Sequence, residues 1–336
     1  MHPYAALTPD VVLDALDGVG LRGDGRLTAL NSYENRVYLV HLEQPFEGHS
    51  SVVVKFYRPQ RWSDAQVLEE HRFAAELMQA EVPMVGPLAI GGCTLHQHAG
   101  FAFSTSPRRG GRTPELDDPD VLQWIGRFLA RIHSVGAQRG FATRGRISLA
   151  SFAHEPRDWL IAHACIPLDV QSAWRRQCEA ALAQIAVHAA LDEAVSCDIA
   201  LLRLHGDCHR GNILWTPAGQ TGEGPHFVDL DDARMGPAVQ DLWMLLSGER
   251  DQRTAQLGAL IDGYEQFREF DRRELALIEP LRTLRLIHYS AWLARRWDDP
   301  AFQAAFPWFG SSDYWQGQVQ MLEEQIEAMQ EPPLVA

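Results

Sequence analysis

Hydrophobic and polar positions along this chain of 336 residues change their period once, near residue 106. Before that point come short runs rich in β-branched and aromatic residues: RVYLVHL from Arg36, SVVVKFY from Ser51 and FAFSTS from Phe101. Such runs mark strands, and together they predict a small sheet. One helix interrupts them from about Ser63 to Ala80, where Val67, Ala74, Leu77 and Met78 recur at helical spacing. A shorter helix precedes the sheet, because Thr8 can cap it, Pro9 suits its first turn, and Val12, Ala15 and Leu16 share a face. After the turn-rich stretch SPRRGGRTPELDDP the pattern becomes helical. A helix starting at Asp118 and Pro119 would bury Val121, Ile125, Phe128, Leu129 and Ile132. Further helices are expected near 168 to 190, 238 to 248, 254 to 269, 272 to 297 and 313 to 330. Two β-like runs, Asn212 to Trp215 and His226 to Leu230, lie within this helical half. The expectation is an α+β fold with two lobes: residues 1–106 form a small sheet-containing lobe, and 107–336 a larger, mainly helical one. A site is expected in the cleft between them.

Composition narrows the function. With 46% hydrophobic and 22% charged residues, the chain can bury a large core. Its formal net charge of −14 opposes non-specific binding to nucleic acid or to an anionic membrane. The same charge is compatible with a cationic substrate or a basic protein partner. The N-terminus MHPYAALTPD has no basic segment leading into an apolar run, and nothing approaches the ~18 consecutive apolar residues of a membrane span. A cytoplasmic monomer is expected. Cys93, Cys165, Cys178, Cys197 and Cys208 are odd in number and form no CxxC pair, so reduced thiols are expected.

The strongest chemical signal is LHGDCHRGNILW, from Leu204 to Trp215, followed at hairpin distance by FVDLDDARMGPAVQDLWMLL from Phe227. Phosphoryl transfer needs positioning, a magnesium ion to neutralise a triphosphate, and a carboxylate to orient the attacking hydroxyl and accept its proton. Asp207 and Asn212 keep the five-residue spacing of the H-R-D-x-x-x-x-N catalytic loop. In this reading Asp207 is the base, and Asn212 offers a hard amide oxygen to magnesium. Asp229 takes the place of the metal-binding Asp of D-F-G, although here the triplet is D-L-D. Turn-capping aspartates are the plain alternative. A zinc site from His205, Cys208 and His209 is a second, lacking an obvious fourth ligand and paired spacing.

A lysine inside the apolar run SVVVKFY needs a reason, and Lys55 would bind the α and β phosphates. Glu70 lies on the apolar stripe of its helix, where an unpaired carboxylate would be costly, so it requires a buried cation. Lys55 is the expected partner, with Glu69 as the fallback for Glu70. No G-x-G-x-x-G precedes Lys55; the turn reads LNSYEN, where Ser32 and backbone amides could contact phosphate. Adenine would meet backbone groups around Phe103 to Ser106. Asp241 is expected near the start of a helix, either tying its carboxylate to amides of the catalytic loop or acting as a helix-end charge. Asp231, Asp232 and Arg234 either shape a substrate entrance or are solvated loop charges. Trp292, Trp297, Trp308, Phe309 and Trp315 read as packing aromatics.

The HGDxHxGN loop with its following V-D-x-D resembles the aminoglycoside phosphotransferase and choline kinase superfamily, whose fold is protein-kinase-like. LNSYENRVY, VVKFYRPQRW, LIEPLRTLRL and FPWF extend the likeness over almost the whole chain, toward a branch of bacterial Ser/Thr protein kinases. The resemblance implies an enzyme of bacterial stress survival that uses ATP and Mg2+ on protein Ser/Thr residues, its own included. It implies Asp207 as proton acceptor, Asn212 and Asp229 as metal ligands, and Ser32 at the ATP site. A small-molecule kinase of the aminoglycoside, choline or homoserine type is the alternative, and a catalytically inactive nucleotide-binding module a more remote one.

Overall fold

A computed structural model describes residues 3–192 and 198–335. Of the cysteines, Cys93, Cys165, Cys178 and Cys208 are free thiols, whereas Cys197 lies outside the described residues.

The sheet forms where alternation predicted it. Strands β1 (Gly23–Ala29), β2 (Arg36–Phe46), β3 (His49–Phe56), β4 (His96–His98) and β5 (Phe101–Pro107) make an antiparallel sheet in the order β1-β2-β3-β5-β4. Along β3, Val52, Val54 and Phe56 are buried. They share one core with Val40, Phe101, Phe103 and the Val12, Ala15 and Leu16 face of α1 (Pro9–Asp17). Successive strand residues face opposite sides, so Lys55, which pairs with Val37 on β2 and Ser104 on β5, is carried to the other face. β1 escaped prediction because GDGRLTA is mostly exposed and shows no apolar alternation.

Helix α2 (Asp64–Gln79) begins at Ser63, whose hydroxyl and the Gln66 side chain form a reciprocal capping box. Its buried face includes Val67, Glu70, Phe73, Ala74 and Leu77, while Met78 is exposed rather than part of the apolar stripe. The helical remainder comprises α3 (Pro119–Gly136), α4 (Glu155–Ala162), α5 (Leu168–Ile185), α6 (Val239–Trp243), α7 (Arg250–Tyr264), α8 (Ile278–Ala294), α9 (Pro300–Ala305) and α10 (Ser312–Ala328). Asp118 caps α3 and Pro119 opens it, as expected; Phe128 is only half-buried. Four short strands, β6 (Leu202–Arg203), β7 (Ile213–Thr216), β8 (Gly224–Phe227) and β9 (Met235–Gly236), pair β6 with β9 and β7 with β8.

The chain forms two compact units. One takes Met1–Glu115 together with Phe141–Arg144 and His209–Ala233; the other takes Leu116–Gly140, Gly145–Cys208 and Arg234–Ala336. The first therefore contains the sheet and the β7–β8 hairpin, and the second most of the helices.

Candidate active site

In the first unit, the β3 lysine meets the acidic loop that follows β8. Lys55 Nζ lies 2.8 Å from Asp229 Oδ1 and 3.1 Å from Asp231 Oδ1. Burial alone would favour the neutral amine, but Asp229, Asp231 and Glu70 outweigh it and hold the Lys55 pKa well above its ordinary value. Asp229 adopts a left-handed conformation, φ 64° and ψ 71°, a strained choice for a residue with a side chain and one that concentrates at functional sites. Its carboxylate stays about half exposed, at 48%. Asn212 sits at the same, open end of the hairpin: its carbonyl accepts from Val228 N at 3.0 Å, and the next rung pairs Ile213 with Phe227. The hairpin thus brings the backbone of Asn212 beside that of the residue preceding Asp229.

Asp231 is a buried structural anion rather than a solvated loop charge. Burial raises its pKa, but Arg61 and Lys55 overcome this and hold it at about 2. Arg61 pairs with both Asp231 and Asp232. Asn35 Nδ2 donates to Asp231 Oδ2 at 3.1 Å, and its Oδ1 accepts from Arg58 N. Asn35, and Arg61 through Glu34 at 3.9 Å, thereby fasten the LNSYEN turn, which holds half-buried Ser32 between β1 and β2, to the acidic loop. Sequence reasoning missed both. The cue for Asn35 was an amide-bearing residue immediately before a strand.

The partner of Glu70 is the main correction. The buried cation it required is Arg144, at 2.8 Å, and not Lys55. Glu69 is not the lysine's partner either; its carboxylate accepts from the amides of Ala142, Thr143 and Arg144. Arg144 also donates to the carbonyls of Gln66, Asp231 and Ala233 at 2.9 to 3.0 Å, and its guanidinium lies over the Trp62 ring. A planar guanidinium with five donors can serve a helix and a loop together, which a lysine ammonium cannot. Arg144 therefore links α2 to the segment after Asp229. Burial pushes the Glu70 carboxyl up to about 7, with Lys55 and Arg144 opposing it.

In the second unit, the His205-Gly206-Asp207 turn is held from below by α6. Asp241 accepts from His205 N at 2.8 Å and from Gly206 N at 2.9 Å, and His133 Nε2 lies 3.1 Å from it. The carboxylate thus ties down the loop amides, the first of the two readings the sequence left open. Gly206 has φ 84°, so a side chain here would strain the turn that presents Asp207. Gln240 reaches the Gly206 carbonyl, and Glu274 accepts from Val239 N at the start of α6. Asp207 is partly exposed and pairs with Arg285 of α8 at 2.8 Å, a contact that sequence reasoning did not anticipate. The predicted aromatics do pack: Trp315 is fully buried against Trp174 and Phe309, although Trp308 remains 46% exposed.

Asn212 and Asp229 offer hard oxygen donors, one amide and one exposed carboxylate. This suits magnesium, which uses one or two protein ligands with substrate phosphates. Zinc fits poorly. Cys208 is buried beside Asp241 and Asp207, and burial above all pushes its thiol well above the ordinary range, against the thiolate that zinc needs. Among the described residues no cluster of three His, Cys, Asp or Glu could hold a metal.

Comparison with known proteins gives the family and the fold. Residues 26–278 match the model of the phosphotransferase enzyme family. Stress response kinase A of Escherichia coli K12 is 47% identical over 331 residues, covering 98% of this chain and 96% of that protein. Serine/threonine protein kinase RdoA of Salmonella typhimurium shows the same identity and coverage. Among solved structures, amicoumacin kinase hAmiN in complex with AMP-PNP, Ca2+ and Ami aligns with a TM-score of 0.72 at 19% identity, over 100% of this chain and 98% of that one. A microcompartment-associated aminopropanol kinase aligns at 0.68 and 18% identity, over 96% and 98%. The α+β architecture is therefore kinase-like.

Proposed function

Because the chain belongs to the phosphotransferase enzyme family, we propose that it transfers the γ-phosphoryl group of ATP, with Mg2+, to Ser or Thr hydroxyls of protein substrates. Lys55 binds the α and β phosphates, and Ser32 contacts the nucleotide from the β1–β2 turn. Glu70 serves the nucleotide site indirectly, by holding Arg144. Asn212 and Asp229 hold the metal, which neutralises the triphosphate. Asp207 orients the substrate hydroxyl and accepts its proton. Residues 1–106 form the nucleotide-binding part in this reading, and 107–336 the catalytic and substrate part. The same proposal includes action in the cytoplasm during bacterial stress, autophosphorylation, a monomeric state, and neither nucleic-acid nor membrane binding.

The observation that carries this reading is the 2.8 Å pair between Lys55 and Asp229. It juxtaposes a strand cation and a metal-competent carboxylate beside the Asn212 hairpin, the combination that triphosphate binding requires. The protein substrate is supported by the name of the Salmonella relative. A second reading, a small-molecule kinase, is favoured by the names of the solved neighbours, which act on amicoumacin and aminopropanol.

The test uses γ-labelled ATP and magnesium with protein acceptors beside a panel of aminoglycosides and amino alcohols. Protein labelling is expected, and Asp207→Ala should reduce it by about 10²- to 10⁴-fold while leaving ATP binding in place. Equal labelling by the variant would remove Asp207 as base. Turnover restricted to small molecules would overturn the protein-kinase reading.

A further inference from the structure

Arg285 stands where an acceptor must approach. Its guanidinium is 2.8 Å from Asp207, and its side chain remains 36% exposed. Among the described residues Asp207 is the one carboxylate it pairs with, leaving further N–H donors of the guanidinium for another group. The surrounding charge is positive. Between Ile278 and Ala294, α8 carries the cations Arg282 and Arg285 against Glu279 alone. Glu279 is shared by Arg253 at 3.0 Å and Arg282 at 3.3 Å. Three guanidiniums therefore face two carboxylates, with Arg282 and Arg285 neighbours at i and i+3. Beyond them, His288 stacks on Phe152 at 4.2 Å, and Arg234 lies over the other partner of that stack at 4.8 Å from its ring. A chain of net charge −14 has thus set a cationic strip beside its proposed base.

We propose that Arg285 determines acceptor specificity, selecting a hydroxyl with an anionic group beside it: a Ser or Thr flanked by acidic residues, not a basic segment or an amine-bearing small molecule. This rests on Asp207 being the base and names the substrate class of that site. A guanidinium can hold the carboxylate of Asp207 with one edge and a second carboxylate or a phosphate with its other donors. An acceptor cation would instead meet Arg285 and Arg282, and like charges at short range are strongly disfavoured in recognition. Overall acidity attracts cations at a distance, but the groups within a few ångströms of the reacting hydroxyl decide which acceptor is held.

The experiment compares two Ser peptides identical except for flanking Glu or flanking Lys residues, together with glycerol phosphate and aminopropanol, using γ-labelled ATP. The ratio of kcat/KM for the two peptides cancels any loss of active protein. The native chain should favour the acidic peptide by at least about fivefold, the effect of one partly exposed charge contact. Arg285→Lys should retain the preference, Arg285→Ala should remove it, and Arg285→Glu should invert it. Equal or better use of the basic peptide by the native chain would overturn the inference while protein phosphorylation stood, as would an unchanged preference in Arg285→Ala. Turnover of glycerol phosphate without peptide labelling would sustain the charge selection and overturn the protein substrate. Turnover of aminopropanol alone would overturn both.

Discussion

Arg144 illustrates how a side chain can be demanded by the sequence without being identifiable in it. The helical spacing that puts Glu70 on a buried face required a cation, and the alternation of β3 put Lys55 on the correct side of the sheet. The partner nevertheless came from the bend at residues 142–144, which has no periodicity to mark it. Its role follows from the donor count: it binds Glu70 and carbonyls of both α2 and the loop after Asp229. Arg144→Met should destabilise the protein by about 3–5 kcal/mol, because it leaves a buried carboxylate unpaired. Adding Glu70→Gln should recover part of that loss, since the orphaned charge is gone. A double-mutant cycle from urea midpoints measures the coupling. Coupling of Glu70 should be larger to Arg144 than to Lys55, and the reverse order would restore the pairing expected from kinase spacing.

At the scale of elements, α6 matters most, because it places Asp241 and Gln240 under the loop that presents Asp207. A helix from Val239 to Trp243 is too short to persist through its own hydrogen bonds. It depends on Glu274, buried, accepting from Val239 N at 2.8 Å. Burial pushes the Glu274 carboxyl up to about 7, against the backbone amides of Val239 and Ala238 that favour its charge. The folded state thus binds the proton more tightly than the unfolded chain. The corresponding stability is complete below the unfolded value of 4.5 and is lost as pH rises through about 7. Urea unfolding at pH 5 and pH 8 should show a decline of about 2.5 kcal/mol attributable to this group. Glu274→Gln keeps an acceptor for Val239 and should flatten that part of the profile. A variant with the native pH slope would exclude Glu274 as its source. The sequence offered Asp241's role as one of two readings, from its place near the start of a predicted helix. It gave no sign of Glu274, whose partner lies 35 residues away.

For the molecule as a whole, the change of periodicity near residue 106 and the division into compact units carry different information. Periodicity reports what each stretch can form locally, whereas compactness reports which stretches need one another. The first unit continues to Glu115 and then takes in Phe141–Arg144 and His209–Ala233, segments with no local pattern tying them to a distant sheet. Their contributions are physical necessities. Phe227, fully buried, exchanges backbone hydrogen bonds with Pro83 and Val85, and Trp215 does so with Arg112. Asp229 and Asp231 neutralise Lys55, and Arg144 neutralises Glu70. A fragment of residues 1–115 would keep every strand of the five-stranded sheet yet separate Lys55 from Asp229 and Asp231, Arg61 from Asp231 and Asp232, and Glu70 from Arg144, losing ion pairs whose buried members cost several kcal/mol to break. Domains hold only about 5–15 kcal/mol in reserve, so this fragment should show no cooperative urea transition by circular dichroism. Joining 209–233 to it through a flexible linker should restore one, because the hairpin supplies both Phe227 and the two aspartates. Cooperative unfolding of 1–115 alone would mean that the sheet's apolar core outweighs its uncompensated charges, and that the acidic loop docks onto a unit already folded rather than completing it.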